Sequence, residues 1–270
     1  MSVDEPIQLP APLRRDRIRE LLDERGFVRV ADISEDFGVS RVTARTDLDT
    51  LVDQGDAVRV HGGAMPVLGR GAVESPIELA TATSAHAKQR IGEAAAAMVR
   101  SGQSVIVDVG STGLALARAL KARRDLSDLV VITNGLTIAL ELESEIPRFS
   151  VIVTGGSLRP LQHSLVDPLA GSVLGQVHAD FAFIGCNGVD AEHGVTNVNL
   201  PEAEVKARMV RAAERVVVVA DASKLGVRQL GRIAGLDAFD ALLTDDGASP
   251  ETVAGLREAG LPVTLVPLGD

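Results

Sequence analysis

Tryptophan and tyrosine are missing from the 270 residues, phenylalanine occurs six times and cysteine once. A core without large rings must be built from Val, Leu, Ile and Ala, and hydrophobic residues at 46% supply enough of them. Such valine-rich interiors suit parallel sheets covered on both faces. The lone Cys186 excludes an intramolecular disulfide, and five scattered histidines give no zinc-ligand spacing, so no metal and no cofactor is expected. No run nears the ~18 apolar residues that cross a bilayer. The acidic, proline-containing start MSVDEPIQLPAP is unlike a secretory leader, so a cytoplasmic protein without a membrane partner is expected. Positive charge is scarce too. The net charge of −10 argues against coating nucleic acid by bulk electrostatics. Even residues 14–66 hold nine Arg against eleven Asp or Glu, so a DNA-reading role must rest on pattern.

The length suggests two unequal domains. Residues 1–13, with three prolines, read as a loose tail. A helix is expected over 13–25, with Leu13, Ile18, Leu21 and Leu22 on one face and Gly26 as its stop. A second fits 31–37, ended by Gly38. Ser40 is a good N-cap for a third, reaching about Gln54, with Ala44, Leu48 and Leu51 inward and Gly55 as stop. Residues 57–61 alternate like a strand and turn at Gly62-Gly63. Three short helices and a hairpin make a winged helix-turn-helix over 14–66. Residues 67–85 read as a linker with a short ordered piece near Pro76. From 86 to 270 strands and helices alternate, as in a mainly parallel α/β domain. Strands fit 104–109, 129–133, 150–154, 181–185, 216–220, 241–244 and 263–266. Helices fit 88–100, 112–123, 136–144, 169–176, 201–213 and 251–258.

In a helix-turn-helix the first residues of the second helix enter the major groove. Here that helix begins at Ser40 and offers Arg41, Thr43, Arg45 and Thr46 on its side or outward face. Arg can grip guanine or phosphate, and Thr can contact phosphate or a thymine methyl. Arg59 and His61 on the wing are candidates for backbone or minor-groove contacts. One such module reads few base pairs, so a homo-oligomer, dimer or tetramer, on double-stranded operator DNA is expected.

The run VSRVTARTDLDTLVDQGDAVRVHGGA resembles the DeoR-type helix-turn-helix of bacterial sugar-metabolism repressors. Val39, Ser40, Thr43, Arg45, Asp47, Leu48 and the closing His61-Gly62-Gly63-Ala64 carry the match. Ala44 stands where that motif usually has Ile, and Thr46 where it has a second Arg.

The second half has features suited to an anion. The first expected strand ends in Asp108-Val109-Gly110-Ser111-Thr112 and feeds a helix, where backbone N–H groups, hydroxyls and the helix dipole favour negative charge. The next two end in Thr133-Asn134-Gly135 and Thr154-Gly155-Gly156. Polar turns at the C-terminal ends of strands are where open α/β sheets bind ligands. Glu202 and Lys206 lie four apart on one helix face, which a surface ion pair would also explain. Asp221, Ser223 and Lys224 follow another buried strand. These pieces, with DPLAG at 167–171 and EAEVKARM at 202–209, resemble the effector domain of the same family, which is related in fold to ribose-phosphate isomerases. The resemblance implies a phosphorylated-sugar effector. It places Ser111, Thr112 and Lys224 on the phosphate, and Asp108, Asn134, Glu202 and Lys206 on sugar hydroxyls. Asp167, where the family often has Gly, and Ala80-Thr81, where an Arg is often found, depart from its pattern. The alternative is a free-standing sugar-phosphate isomerase or deaminase, with Asp108, Glu202 or Asp221 moving a proton. An attached winged helix fits that poorly, so a regulator without catalytic residues is expected.

Overall fold

The computed structural model describes residues 9–25, 27–54, 56–60, 62–66 and 76–269. The chain divides into two compact units, residues 1–75 and 76–270. Gly26 and Gly55, read as helix stops, lie outside the described residues, as do His61 and 67–75 of the expected linker.

The first unit contains α1 (Ala11–Arg25), β1 (Val28–Arg29), α2 (Val30–Asp36), α3 (Arg41–Asp53), β2 (Ala57–Val60) and β3 (Gly63–Pro66). Ile18, Leu21 and Leu22 of α1 meet Ile33 of α2 and Ala44, Leu48 and Leu51 of α3 in one small aliphatic core, whereas Leu13, expected on the same face, is exposed in the first turn of α1. Alternation foretold β2, and β3 returns antiparallel to it as the wing. The sequence reading missed β1, a two-residue strand that pairs with β3 and makes the sheet three-stranded. A Cβ on Gly63 would lie 2.2 Å from the carbonyl oxygen of Val28, so this pairing excludes any side chain there.

The second unit is built on a seven-stranded sheet. Its strands are β4 (Ser104–Val107), β5 (Leu129–Thr133), β6 (Phe149–Val153), β9 (Ala179–Ile184), β12 (Ala213–Val219), β14 (Ala241–Asp245) and β15 (Val263–Val266). They lie in the order β15-β14-β12-β9-β4-β5-β6, and every pairing is parallel. On one face pack α5 (Ala85–Ala97), α6 (Ser111–Ala122) and α7 (Leu136–Glu143) through residues such as Ile91, Leu116 and Leu142. The other face is covered by α8 (Ala170–Leu174), α9 (Leu200–Arg211) and α10 (Pro250–Glu258) with Leu174, Val205 and Leu256. All seven expected strands and six expected helices of this unit are present, with shifted ends.

Short antiparallel pieces escaped the periodicity argument. β7 (Ser157–Arg159) pairs with β8 (Ser164–Val166), and β10 (Gly188–Asp190) with β11 (Gly194–Asn197) and β13 (Gly231–Ala234). At three or four residues each, they are too short to show alternation. The expected linker also needs correction at its end. Residues Ile77–Ala82 form a helix, α4, and α5 begins at Ala85 instead of Lys88.

Candidate DNA-reading helix and anion crevice

On α3, Ser40 caps the first turn by accepting a bond from the Thr43 N–H at 3.1 Å. The cap fixes which face points out. Ala44, Asp47, Leu48 and Leu51 are buried, while Ser40, Arg41, Arg45 and Thr46 are exposed and Val42 is 70% exposed. Neither Arg41 nor Arg45 forms an ion pair with a described residue, which leaves both guanidinium groups for phosphate or a base edge. Three other expected contacts are engaged elsewhere. The half-buried Thr43 shares a 2.9 Å hydroxyl bond with Ser40. The Thr46 hydroxyl donates back to Val42 O at 3.0 Å, and Arg59 faces Asp49 at 3.2 Å and donates to Gly63 O. His61 lies outside the described residues.

Asp47, matched in the motif but given no role, is a structural residue. Its carboxylate takes a 2.6 Å bond from the Arg14 Nε, in the buried seam between α1 and α3, and Arg15 stands 3.8 Å away. The signal was an acidic residue at an inward position of the helix.

In the second unit the sheet order reverses between β4 and β9. The chain runs outward to β5 and β6 on one side and to β12, β14 and β15 on the other. Open α/β sheets form a crevice at the C-terminal ends of the two strands flanking such a reversal. Asp108 follows β4, Gly185 follows β9, and the two meet there. Asp108 is fully buried, and its Oδ2 accepts the Gly185 N–H at 2.9 Å and a short bond from Lys206 Nζ of α9. Lys206 also donates to Gly185 O at 3.2 Å. The other oxygen, Oδ1, is buried and has no partner.

The charges hold one another. Burial raises the Asp108 pKa to about 6, against the pull of Lys206. Burial alone would lower Lys206, yet Asp108 and Glu202 raise it above its ordinary value, so it stays an ammonium. Glu202 is opposed by burial, and Lys206, Ser164 and Arg159 together keep its pKa below normal. Ser164 donates to it at 2.5 Å, Arg159 through a short bond, and Asn197 at 3.4 Å. Glu202 and Lys206 are therefore no surface pair. Arg159, Ser164 and Asn197 went unnoticed in the sequence because they sit in the short hairpins.

The other expected residues divide. Gly110, at φ +121°, leads into α6, whose N-terminus no side chain caps, with Ser111 half-buried and Thr112 buried in its first turn. Lys224 is half-buried with no acidic partner among the described residues, and its charge reaches Cys186 and Lys88. Burial pushes the Cys186 thiol up to about 12, which makes it unreactive. Asp221 accepts from the Ser223 N–H and hydroxyl and so shapes the turn before Lys224. Thr133 and Asn134 do not face open space. Thr133 accepts from Gly135 N–H, and the fully buried Asn134 accepts from Val109 N–H and donates to Leu165 O, clamping neighbouring turns together. Gly155 and Gly156 follow β6 at the sheet edge, two strands from the crevice. A Cβ on Gly156 would lie 2.2 Å from Val166 O, so it serves close packing on β8.

A sheet reversal lined by hydroxyls and a buried acid–amine pair, in a chain that also carries a capped reading helix, matches known proteins. Residues 14–67 match the DeoR-like helix-turn-helix domain, and residues 83–246 match the DeoR C terminal sensor domain. The chain belongs to the DeoR family. Among its DeoR-family relatives, a putative aga operon transcriptional repressor from Escherichia coli O157:H7 is 35% identical, covering 94% of this chain and 93% of the relative. The regulator GlpR from Haloferax volcanii is 36% identical over 94% and 97%. The glycerol-3-phosphate regulon repressor of Escherichia coli K12 is 30% identical over 86% and 90%. These full-length relatives are named as regulators, so the chain is a DNA-binding transcriptional regulator and the isomerase or deaminase alternative is set aside. Ribose 5-phosphate isomerase from Plasmodium falciparum is similar over 51% of each chain, at 14% identity and a TM-score of 0.37. Among the described residues no helix is long and apolar enough to cross a membrane.

Proposed function

We propose that this DeoR-family regulator is a cytoplasmic repressor of carbohydrate-metabolism genes that leaves its operator when a sugar phosphate enters the crevice at the β4–β9 reversal. Relatives named for the aga operon and the glycerol-3-phosphate regulon support the gene class. The observation that carries the ligand is the pairing of two features. A cation without an acid partner, Lys224, and the uncapped start of α6 suit a phosphate. The second feature is the unpartnered Oδ1 of Asp108, two residues before Gly110, which suits a sugar hydroxyl, since a buried acceptor without a donor is costly. With a net charge of −10 the protein repels anions at long range, so a local positive site is needed. On DNA, Arg41, Thr43 and Arg45 read each half-site, and an oligomer supplies the second half-site.

Calorimetry with matched pairs of sugar and sugar phosphate tests the reading. The phosphorylated member should bind and its free sugar should not. Lys224→Ala should keep operator binding yet weaken the phosphorylated sugar by roughly 1.5–3 kcal/mol. Equal affinities within every pair, or an unchanged response in the variant, would place the phosphate elsewhere.

A further inference from the structure

Two lysines are buried among the described residues of the sensor unit. Lys206 belongs to the crevice. Lys88, in the first turn of α5, has no role in the reading above. Its Nζ donates at 2.7 Å to the carbonyl oxygens of Ala80, in the last turn of α4, and of Thr83, the residue that follows the helix. A helix end leaves such carbonyls without intrahelical donors, and a lysine there satisfies both them and the dipole. The ammonium also faces Asp221 Oδ2 at 3.8 Å, while Asp221 Oδ1 is held by Ser223. Burial and the nearby charge of Lys224 both lower the Lys88 pKa, against the pull of Asp221. Lys88 therefore holds the end of α4 and also lies against the Asp221–Ser223 turn that carries Lys224, the candidate phosphate-binding cation.

The opposite end of α4 is tied to the crevice as well. The Ile77 N–H donates to Leu161 O at 3.0 Å, and Glu78 lies 3.8 Å from His163. Leu161 and His163 form the tip between β7 and β8, and those strands carry Arg159 and Ser164, which bind Glu202. Thr81 of α4, Lys88 and Ser111 of α6 also line one groove of about 570 Å³. In sequence, α4 is the first element of the second unit.

We propose that Lys88 is the positioning residue that carries anion binding from the crevice to α4. An anion beside Lys224 removes the repulsion on Lys88, tightens its bonds to the Ala80 and Thr83 carbonyls and locks α4 in place. This inference rests on the phosphate position given under Proposed function.

Hydrogen exchange on the full chain tests it, with inorganic phosphate as the probe and phosphate binding measured separately by calorimetry on the same samples. In the wild type, phosphate should slow exchange at residues 77–84. Lys88→Met should speed exchange there by about tenfold or more and make it indifferent to phosphate, while Lys88→Arg restores protection. Lys224→Ala should slow the same amides about two- to threefold without any phosphate, an effect that a purely structural Lys88 would not give. That arm also keeps the proposal testable if Lys88→Met does not fold. If phosphate binds and α4 exchange stays constant, the relay is wrong and the site stands. If phosphate gives no heat with the wild type, the site reading fails and the relay fails with it.

Discussion

The reading helix and the sensor crevice solve opposite problems with similar side chains. On α3, Arg41 and Arg45 stand in solvent on a face that one serine cap and four inward residues orient. In the crevice, Asp108, Glu202 and Lys206 are each at most 3% exposed, with Lys206 bonded to Asp108 and its charge acting on Glu202. An exposed arginine costs the fold nothing, so its removal should be read only in binding. A buried ion cannot be removed without stranding its partner, so its removal should be read in stability first. Within the first unit, the Arg14–Asp47 pair follows the crevice rule and not the reading-helix rule.

The largest effect should come from Lys206→Met. It leaves Asp108 without its cation, and the sensor unit should lose about 3–5 kcal/mol, seen as a lower unfolding temperature of its own calorimetric transition. A loss below about 1 kcal/mol would mean that the crevice charges behave as surface charges do. Next in size is Asp47→Ala, which strands Arg14 and should destabilise the first unit by about 3 kcal/mol. Its DNA affinity should fall only as the folded fraction falls, which titration at low temperature separates. Arg45→Ala should weaken operator binding by about 1–3 kcal/mol with unfolding unchanged to within about 0.5 kcal/mol. A shifted transition there would break the contrast from the other side.

The smallest effect is a pH tilt. The Asp108 pKa of about 6 lies above its ordinary 3.8, so the folded state holds a proton that the unfolded chain releases. The stability it contributes is complete below about pH 4 and is lost as pH rises through about 6. Asp108→Asn does not titrate. The stability difference between wild type and this variant should therefore move toward the variant from pH 4 to 6 and level off above. A difference that stays flat across that window would show that Lys206 holds Asp108 ionised throughout.

Wherever a residue's role depends on its own element, it was legible beforehand. Ser40 as cap, Ala44, Leu48 and Leu51 as core, and Arg41 and Arg45 as outward groups all follow from a 3.6-residue period and a capping signal. The same local logic gave the seven strands of the sensor sheet and put Asp108 and Ser111 at a strand-to-helix turn. It did not show the local acceptors of Thr46 and Arg59, which come from the preceding turn and a neighbouring strand. Nor did it show that Gly155 and Gly156 lie at the sheet edge, because a polar turn looks alike whether its strand is central or at an edge.

By itself, then, the sequence determined the two units, the face of the reading helix and the strand ends that carry polar groups, since period, caps and turn residues act over a few positions. Only the tertiary structure decided which strand ends meet. The order β15-β14-β12-β9-β4-β5-β6 joins Asp108 to Gly185 across 77 residues and to Lys206 across 98, and it leaves the β6 turn aside. Lys88 belongs to that second class as well, because its two acceptors come from a helix inside the stretch that composition marked as a linker. Strand order and burial are settled by packing over the whole sheet, and charges become partners there because the surrounding core excludes water and offers them no other.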